Sequence, residues 1–163
     1  MEIHLLDKAH NRKSFRCEEQ QLTDYIHKQV SQDVSKNLAI CFVATDSKNN
    51  VIGFYTLSSE SLGRDLVPTK YQKKIPQNYN VPVILLGRLA RDITAKGTGL
   101  GEHLLMDALF RAFTISEKSI GAMAVIVDPI NEYATSFYSK YGFIKLPDSG
   151  KMFLPMNVIK QIV

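Results

Sequence analysis

Residues 81–115 hold the arrangement that most restricts the fold: a buried strand, a glycine-rich loop and an amphipathic helix. Residues 81–90 (VPVILLGRLA) are apolar nearly throughout, which predicts a strand covered on both faces. Leucines and alanines recur at helical spacing over residues 99–115, which predicts a helix with one apolar face. A strand followed by a glycine loop and a helix predicts a sheet with helices packed against it.

Elements of both kinds precede and follow this segment. Residues 18–30 and 131–140 are predicted to be helices, the second closed by a glycine just after its end. Runs of apolar residues bounded by turn residues predict further strands at 38–45, 51–57, 122–127, 143–146 and 151–158. The polar segment 58–80 is predicted to be a loop with a short helix. The order predicts one α+β domain, residues 1–163, with a mixed sheet between helices.

The glycine loop KGTGLG, residues 96–101, lies where a helix begins. Free backbone N–H groups at a helix N-terminus bind anions, and glycines let a phosphate approach closely. A flexible strand–helix turn is the alternative. Two nucleotide-binding patterns fail: the P-loop pattern GxxxxGK followed by Ser or Thr is absent, and Glu102 occupies the third glycine position of GxGxxG.

A third phosphate-binding pattern matches. Lys96, Gly99 and Gly101 fill the frame Gln/Arg-x-x-Gly-x-Gly/Ala, with lysine in the first position, and the loop therefore resembles the pyrophosphate loop of GNAT acetyltransferases. The segment NEYATSFYSKYGF, residues 131–143, is similar to the family signature NxxAxxFYxxxGF. The resemblance implies the GNAT fold: a mixed, mostly antiparallel central sheet, splayed around acetyl-CoA and flanked by helices in α/β/α layers.

The same resemblance implies which residues bind acetyl-CoA, the cosubstrate. The strand ending at Arg91 would bind the pantetheine arm, Asn131 would meet the CoA moiety, and Tyr138 would approach the sulfur. The implied cofactor-binding residues are Leu89, Ala90, Arg91, Lys96, Gly97, Thr98, Gly99, Leu100, Gly101, Glu102, Asn131, Phe137 and Tyr138.

Amine acetylation needs a group that stabilises the oxyanion and an acid for the departing thiolate. Backbone N–H groups at residues 89–91 are expected to polarise the thioester carbonyl. Since a phenol has a reference pKa of about 10, Tyr138 stays protonated at neutral pH and is predicted to be the general acid. A purely structural tyrosine is the alternative, because short aromatic helices are commonly part of a core.

Three further segments resemble the GNAT toxins of bacterial toxin–antitoxin pairs: Phe15-Arg16-Cys17, the strand IGFYTL and the strand VPVILLGRLARD. Two positions depart from that pattern, since Glu18 replaces a glycine and Arg91 replaces a small apolar residue. The resemblance implies a toxin that acetylates the α-amino group of aminoacyl-tRNA and blocks translation. It also implies a cognate antitoxin of the ribbon-helix-helix type and a homodimer. An ordinary GNAT enzyme acting on a small-molecule or peptide amine, and a degenerate GNAT acting as a binding module, are the alternatives.

Several basic residues are candidates for contact with tRNA. The alternative is that their side chains are simply solvated. Arg88 lies among apolar residues, so it points to the active site or pairs with an acid. Glu60 and Asp128 are candidate bases, although each is more easily explained as a solvated turn residue. The candidates for tRNA contact are Arg12, Lys36, Lys70, Lys73, Lys74 and Arg88, together with Lys13, Arg16, Arg64 and Arg91.

Composition adds weaker constraints. The 20 basic and 16 acidic residues give a formal charge of +4, which is compatible with a polyanionic partner. The two cysteines are too few for a disulfide framework, and the four histidines lack metal-ligand spacing, so no metal is expected. No apolar run reaches the roughly 18 residues of a membrane span. With no secretory signal visible, we expect a cytoplasmic protein that does not bind membranes.

Overall fold

The computed structural model describes residues 2–147 and 149–163. They form an α+β fold, as predicted. The strands are β1 (Ile3–Leu5), β2 (Ile40–Thr45), β3 (Val51–Gly63), β4 (Asn80–Arg91), β5 (Ala124–Val127), β6 (Ile144–Lys145) and β7 (Met152–Pro155). The α-helices are α1 (Gln20–Asp24), α2 (Val30–Ser35), α3 (Thr69–Gln72), α4 (Leu100–Lys118), α5 (Glu132–Lys140) and α6 (Met156–Ile162).

The strands form a mixed sheet in the hydrogen-bonded order β1-β2-β3-β4-β5-β7-β6. β1 and β3 pair antiparallel with β2, and β5 and β6 pair antiparallel with β7. β4 and β5 are parallel, with Ile84 opposite Val125. The parallel pair is the buried strand predicted over residues 81–90 and the strand that follows the long helix.

The chain divides into two compact units. The first contains the chain up to Ser58 together with Leu86–Ala108. Its core includes Phe15, Tyr25 and Phe54, with the Phe15 and Phe54 rings edge to face at 5.3 Å. In this unit α4 packs closely on β3, because a Cβ at Gly53 would lie 2.9 Å from Leu104 Cδ1. A side chain at Gly53 would therefore force the Leu104 side chain to shift.

The second unit contains Ser59–Leu85 and Leu109–Val163. Its core joins apolar side chains of β4, β5 and β7, among them Val83, Ile126 and Phe153. Tyr71 packs against Phe153 at 5.8 Å between ring centroids. The polar segment 58–80 is thereby attached to the core through α3, the short helix predicted there.

Several predicted boundaries were wrong. The predicted strand 151–158 ends at Pro155, and α6 follows, with Ile159 buried in the core. β3 continues to Gly63 instead of ending at residue 57, and β1 was not predicted. The helix predicted over residues 18–30 begins at Gln20, contains the π-helical segment Tyr25–Gln29, and continues as α2. No helix among the described residues is long and apolar enough to span a membrane.

Candidate active site

Asp92 organises the turn that follows β4. Its side chain is buried, and its Oδ1 accepts a hydrogen bond from the Arg16 N–H at 2.8 Å. Its Oδ2 accepts from the N–H and the hydroxyl of Thr94, at 2.9 and 2.6 Å. Burial opposes ionisation, but these hydrogen bonds outweigh it and hold the pKa of Asp92 below its ordinary value. The charged carboxylate thus fixes the chain at the 3₁₀ turn Ile93–Ala95, which leads into the glycine loop.

Gly97 and Gly99 determine the course of the glycine loop. Their φ angles are +79° and +83°, in the left-handed region that glycine adopts without steric cost. Thr98, between them, bonds to Ala95 O through its N–H at 3.2 Å and its hydroxyl at 2.5 Å. The loop ends where His103 N–H donates to Gly99 O at 3.0 Å. The first N–H groups of α4 have no acceptor within the helix, so they are suited to bind an anion.

Gly101 contributes to a stretch of uncovered backbone at the start of α4. It lies in the first turn of α4, where glycine costs about 0.5–1 kcal/mol relative to alanine. Cβ atoms built on Gly97, Gly99 or Gly101 meet no described atom within 4 Å. The three glycines therefore leave bare backbone at the helix start, which a pair of phosphates can approach. Lys96 adds a positive charge beside it, with 69% of its side chain exposed.

Arg91 and Glu18, the two departures from the family pattern, form an ion pair. Arg91 Nη1 donates to Glu18 Oε1 and Nη2 donates to Oε2, each at 3.1 Å. Lys96 Nζ lies 4.0 Å from the same carboxylate, at Oε2. The hydrogen bonds from Arg91 are the main reason that the pKa of Glu18 is lowered. Glu18 is therefore a fixed negative charge beside two cations predicted to bind CoA. Sequence reasoning did not include Glu18 in the site, because Glu18 and Arg91 lie in separate segments of the sequence and neither residue alone indicates the pair.

Tyr138 is buried in α5 with its ring held by two aromatic neighbours. Phe137 and Phe143 contact it edge to face, with centroids 5.4 and 5.3 Å away. Burial raises the pKa of Tyr138 well above its ordinary value. Its hydroxyl makes no hydrogen bond to the described residues and is not among their fully buried polar atoms. The phenol thus keeps its proton and has it available for donation, as a general acid requires.

Asn131 is the N-cap of α5. Its Oδ1 accepts a hydrogen bond from Ala134 N–H at 2.8 Å, which satisfies one of the free donors at the helix start. The side chain is exposed. The cap accounts structurally for this asparagine, and its predicted contact with CoA stays a prediction.

The candidate bases differ in their surroundings. Glu60 does not lie in a turn as predicted, but within β3, where the strand extends beyond residue 57. Its carboxylate is 3.1 Å from Lys151 Nζ. Asp128 follows β5 and is exposed, as expected of a solvated residue. No three His, Cys, Asp or Glu side chains in residues 2–147 and 149–163 are grouped so as to hold a metal ion.

The arginines named as tRNA candidates are mostly engaged in protein contacts. Arg88 lies over the Tyr25 ring at 3.9 Å and pairs with Asp33 Oδ2 at 3.9 Å, so it has the acidic partner that one of the two predicted alternatives gave it. Arg64 donates to the backbone carbonyls of Ile75 and Gln72, holding the polar segment together. Arg12 donates to Ile26 O at 3.0 Å. The candidate lysines are exposed: Lys13, Lys36, Lys70, Lys73 and Lys74.

Two curated relatives match most of the chain. A tRNA-acetylating toxin of Mycobacterium tuberculosis is 38% identical over 130 residues, which cover 80% of this chain and 76% of the relative. A protein of Sinorhizobium fredii described as probable toxin TacT is 31% identical over 164 residues, 94% of this chain and 90% of the relative. The chain belongs to the family of GNAT toxins. No protein-family model matches it.

Solved structures of GNAT toxins have the same fold. A tyrosine-to-phenylalanine mutant of KacT superposes with a TM-score of 0.91 at 28% identity, covering 99% of this chain and 98% of KacT. AtaT complexed with acetyl-methionyl-tRNAfMet superposes with a TM-score of 0.90 at 27% identity, covering 99% of this chain and 98% of AtaT. An AtaT mutant bound to the C-terminus of the antitoxin AtaR and acetyl-CoA superposes with a TM-score of 0.83 at 25% identity, covering 99% of this chain and 96% of the mutant. The predicted GNAT fold is therefore confirmed.

Proposed function

We propose that the protein is an acetyl-CoA-dependent N-acetyltransferase that acetylates the α-amino group of aminoacyl-tRNA and thereby blocks translation. One observation carries the proposal: a chain 38% identical to a tRNA-acetylating toxin has a glycine loop with uncovered backbone at the start of a long helix. AtaT, with the same fold, has been solved with acetyl-methionyl-tRNA, and an AtaT mutant with acetyl-CoA.

Residues 96–102 bind the pyrophosphate of acetyl-CoA in this proposal. The N–H groups at the start of α4 and the charge of Lys96 supply the binding energy, and Gly97, Gly99 and Gly101 supply access. Leu89, Ala90 and Arg91 at the end of β4 bind the pantetheine arm through their backbone. Asn131 and Phe137 complete the cofactor-binding set.

Tyr138 is the general acid. Acetyl-CoA supplies an activated acyl group, and its sulfur leaves as a thiolate that must gain a proton. Burial keeps the Tyr138 phenol neutral over the whole physiological pH range, so it enters the reaction protonated. Backbone N–H groups of residues 89–91 stabilise the negative charge on the carbonyl oxygen.

The acceptor amine needs little help to become nucleophilic. An α-amino group has a pKa of about 7.7–8.0, so a useful fraction is neutral at pH 7 without a dedicated base. A lysine side chain, whose reference pKa is about 10.4, would need a base to become neutral. Glu60 is paired with Lys151, and Asp128 is solvated. Both observations fit a site in which the amine loses its proton to solvent, without a dedicated base.

The tRNA is bound by basic side chains, for which the lysines of segment 58–80 are the most suitable. Lys70, Lys73 and Lys74 are exposed on or next to α3 and make no ion pair with any residue in the described ranges. Lys36 and Arg12 lie in the other unit, and Arg88 contributes less because Asp33 already neutralises it. Phosphate contacts of this kind give affinity that falls steeply with salt.

The protein works in the cytoplasm as one domain, residues 1–163, and as a homodimer controlled by a ribbon-helix-helix antitoxin. β3, β4 and α4 each contribute residues to both compact units, which supports a single domain. Val34, Leu38 and Ile40 expose 38–62% of their surface, and a dimer contact at this part of the chain would cover them. Light scattering coupled to size exclusion measures the dimer directly.

The decisive experiment incubates the protein with labelled acetyl-CoA and charged total tRNA. Label recovered as N-acetyl-aminoacyl-tRNA supports the proposal, and aminoacylated tRNA blocked at its amine is the matched control. Label found only in polyamines, drugs or peptides would establish the ordinary acetyltransferase instead.

A further inference from the structure

A basic cavity lies apart from the glycine loop within the first unit. Its volume is about 620 Å³, and it is lined by residues 8–13 and His27. Five of these seven residues are basic and none is acidic: Lys8, His10, Arg12, Lys13 and His27. Such a lining offers hydrogen-bond donors and positive charge, and therefore favours an anion.

His27 contributes a buried nitrogen that has no partner. Its Nε2 is fully buried and makes no hydrogen bond within the described part of the chain. The residue lies in the π-helical segment Tyr25–Gln29, and such segments are frequent at functional sites. Arg12 donates to Ile26 O in the same segment, which fixes residues 8–13 against it. A ligand in the cavity would satisfy this nitrogen once the His27 ring turns to expose it.

His10 is oriented as a donor. Its side chain is only 9% exposed, and its Nδ1 accepts a hydrogen bond from Asp7 N–H at 3.0 Å. The acceptor role of Nδ1 places the proton on Nε2. The Asp7 carboxylate lies 3.6 Å from Nδ1 but is not part of the cavity lining.

Lys8 and Lys13 bring charge to the rim of the cavity. Both are exposed, and neither side chain has an ion-pair partner among residues 2–147 and 149–163. Asp7, the nearest acid in sequence, is directed to His10 and Ala9 N–H instead. The two ammonium groups are thus available to a ligand from solution.

We infer that this cavity binds a phosphate of the tRNA backbone, which rests on the proposed function for the identity of the nucleic acid. A cavity of about 620 Å³ falls in the range of sites that hold a whole small molecule, so a nucleotide fits where a single carboxylate would leave most donors unpaired. Donors from lysine, arginine and imidazole match the acceptor oxygens of a phosphate.

The test measures binding of uncharged total tRNA as a function of KCl concentration, with no acetylation required. Lys8→Ala/Lys13→Ala is compared with Lys118→Ala/Lys160→Ala, which removes the same charge from exposed positions of the second unit. We expect the first variant to bind about 10- to 30-fold more weakly near 0.15 M salt, with a salt slope smaller by about two. The control should resemble the wild type.

His27→Phe separates a ligand site from a structural role. The substitution removes the unpaired nitrogen, so thermal stability should hold or rise, while tRNA binding falls about tenfold through the lost hydrogen bond to a charged group. Equal binding and equal salt slopes for the wild type and Lys8→Ala/Lys13→Ala would overturn the cavity assignment. Loss of antitoxin binding with intact tRNA binding would overturn it in favour of an acidic peptide. If the wild type binds tRNA through the cavity but acetylates no aminoacyl-tRNA, the proposed function fails and the cavity stands.

Discussion

The guanidinium of Arg91 meets the carboxylate of Glu18 through two parallel hydrogen bonds, both 3.1 Å long. Each residue departs from the GNAT toxin pattern, one replacing a small apolar residue and the other a glycine. Arg91 is only 17% exposed, so its charge needs a partner, and Glu18 supplies it. The two departures are therefore one compensated change, and they put a carboxylate 4.0 Å from Lys96 in the glycine loop.

Glu18→Gln should strengthen acetyl-CoA binding. The substitution removes a negative charge that competes with the cofactor's phosphates for Lys96. Because Glu18 is 46% exposed, solvent screens much of the effect, and the Kd for acetyl-CoA should fall about three- to fivefold. Isothermal calorimetry at low salt measures it, with Glu117→Gln, at an exposed position elsewhere on α4, as the control. Weaker binding in Glu18→Gln would mean that the carboxylate supports the site.

Tyr138→Phe should lower kcat about a hundredfold or more while acetyl-CoA binding and thermal stability stay near normal. The phenylalanine keeps the aromatic contacts with Phe137 and Phe143 and removes only the proton donor. Tyr133→Phe, on the same helix but 75% exposed, is the matched control and should leave kcat unchanged. Full turnover in a folded Tyr138→Phe variant would remove the phenol from the mechanism.

The value of kcat/KM for aminoacyl-tRNA should rise with pH and should not fall again up to pH 9. Since burial raises the pKa of Tyr138, its acid form persists above pH 9, and no basic limb is expected from it. The neutral amine increases with pH, so kcat/KM for aminoacyl-tRNA should climb to a plateau above about pH 8. Initial rates between pH 6 and 9, with pre-acetylated tRNA as the blank, measure the profile. A decline between pH 7 and 9 would argue against a buried phenol as the acid.

Much of the fold was predictable because its signals are local. The apolar run over residues 81–90 and the leucine spacing of 99–115 specify β4 and α4 by themselves, and both are close to their predicted bounds. The glycines at 97 and 99 have the positive φ angles that only glycine adopts easily, so the loop was also visible in the sequence.

The missed features depend on contacts between distant residues. Glu18 and Arg91 are far apart in the chain, and neither residue type alone indicates the pair. The cavity joins residues 8–13 to His27, which lies in a π-helical segment that residue propensities do not specify. β1 is three residues long and is stabilised by its pairing with β2, which periodicity does not detect.

Asp92→Ala should lower the free energy of unfolding by about 2–4 kcal/mol, because it leaves the Arg16 N–H and both Thr94 donors without their acceptor. The pKa of Asp92 is lower in the folded state than its ordinary 3.8, so the ionised carboxylate stabilises the fold at neutral pH. That contribution begins to decline as the pH falls below about 4 and is lost once the pH is below the lowered pKa of the folded state. Urea unfolding of wild type and variant at pH 7 and pH 3 should therefore show a difference in the free energy of unfolding that is smaller at pH 3. An equal difference at the two pH values would contradict a stabilising role of the ionised Asp92 carboxylate.

Gly101→Ala should stabilise the protein and weaken acetyl-CoA binding at the same time. Alanine is favoured over glycine in a helix by about 0.5–1 kcal/mol, and its Cβ meets no protein atom within 4 Å, so the fold itself should gain. The same methyl group occupies the approach of a phosphate to the start of α4, and the Kd for acetyl-CoA should rise at least tenfold. Gly97→Ala is the comparison: its φ of +79° predicts a loss of about 1 kcal/mol of stability. A more stable Gly101→Ala protein with unchanged acetyl-CoA affinity would show that the phosphates bind elsewhere.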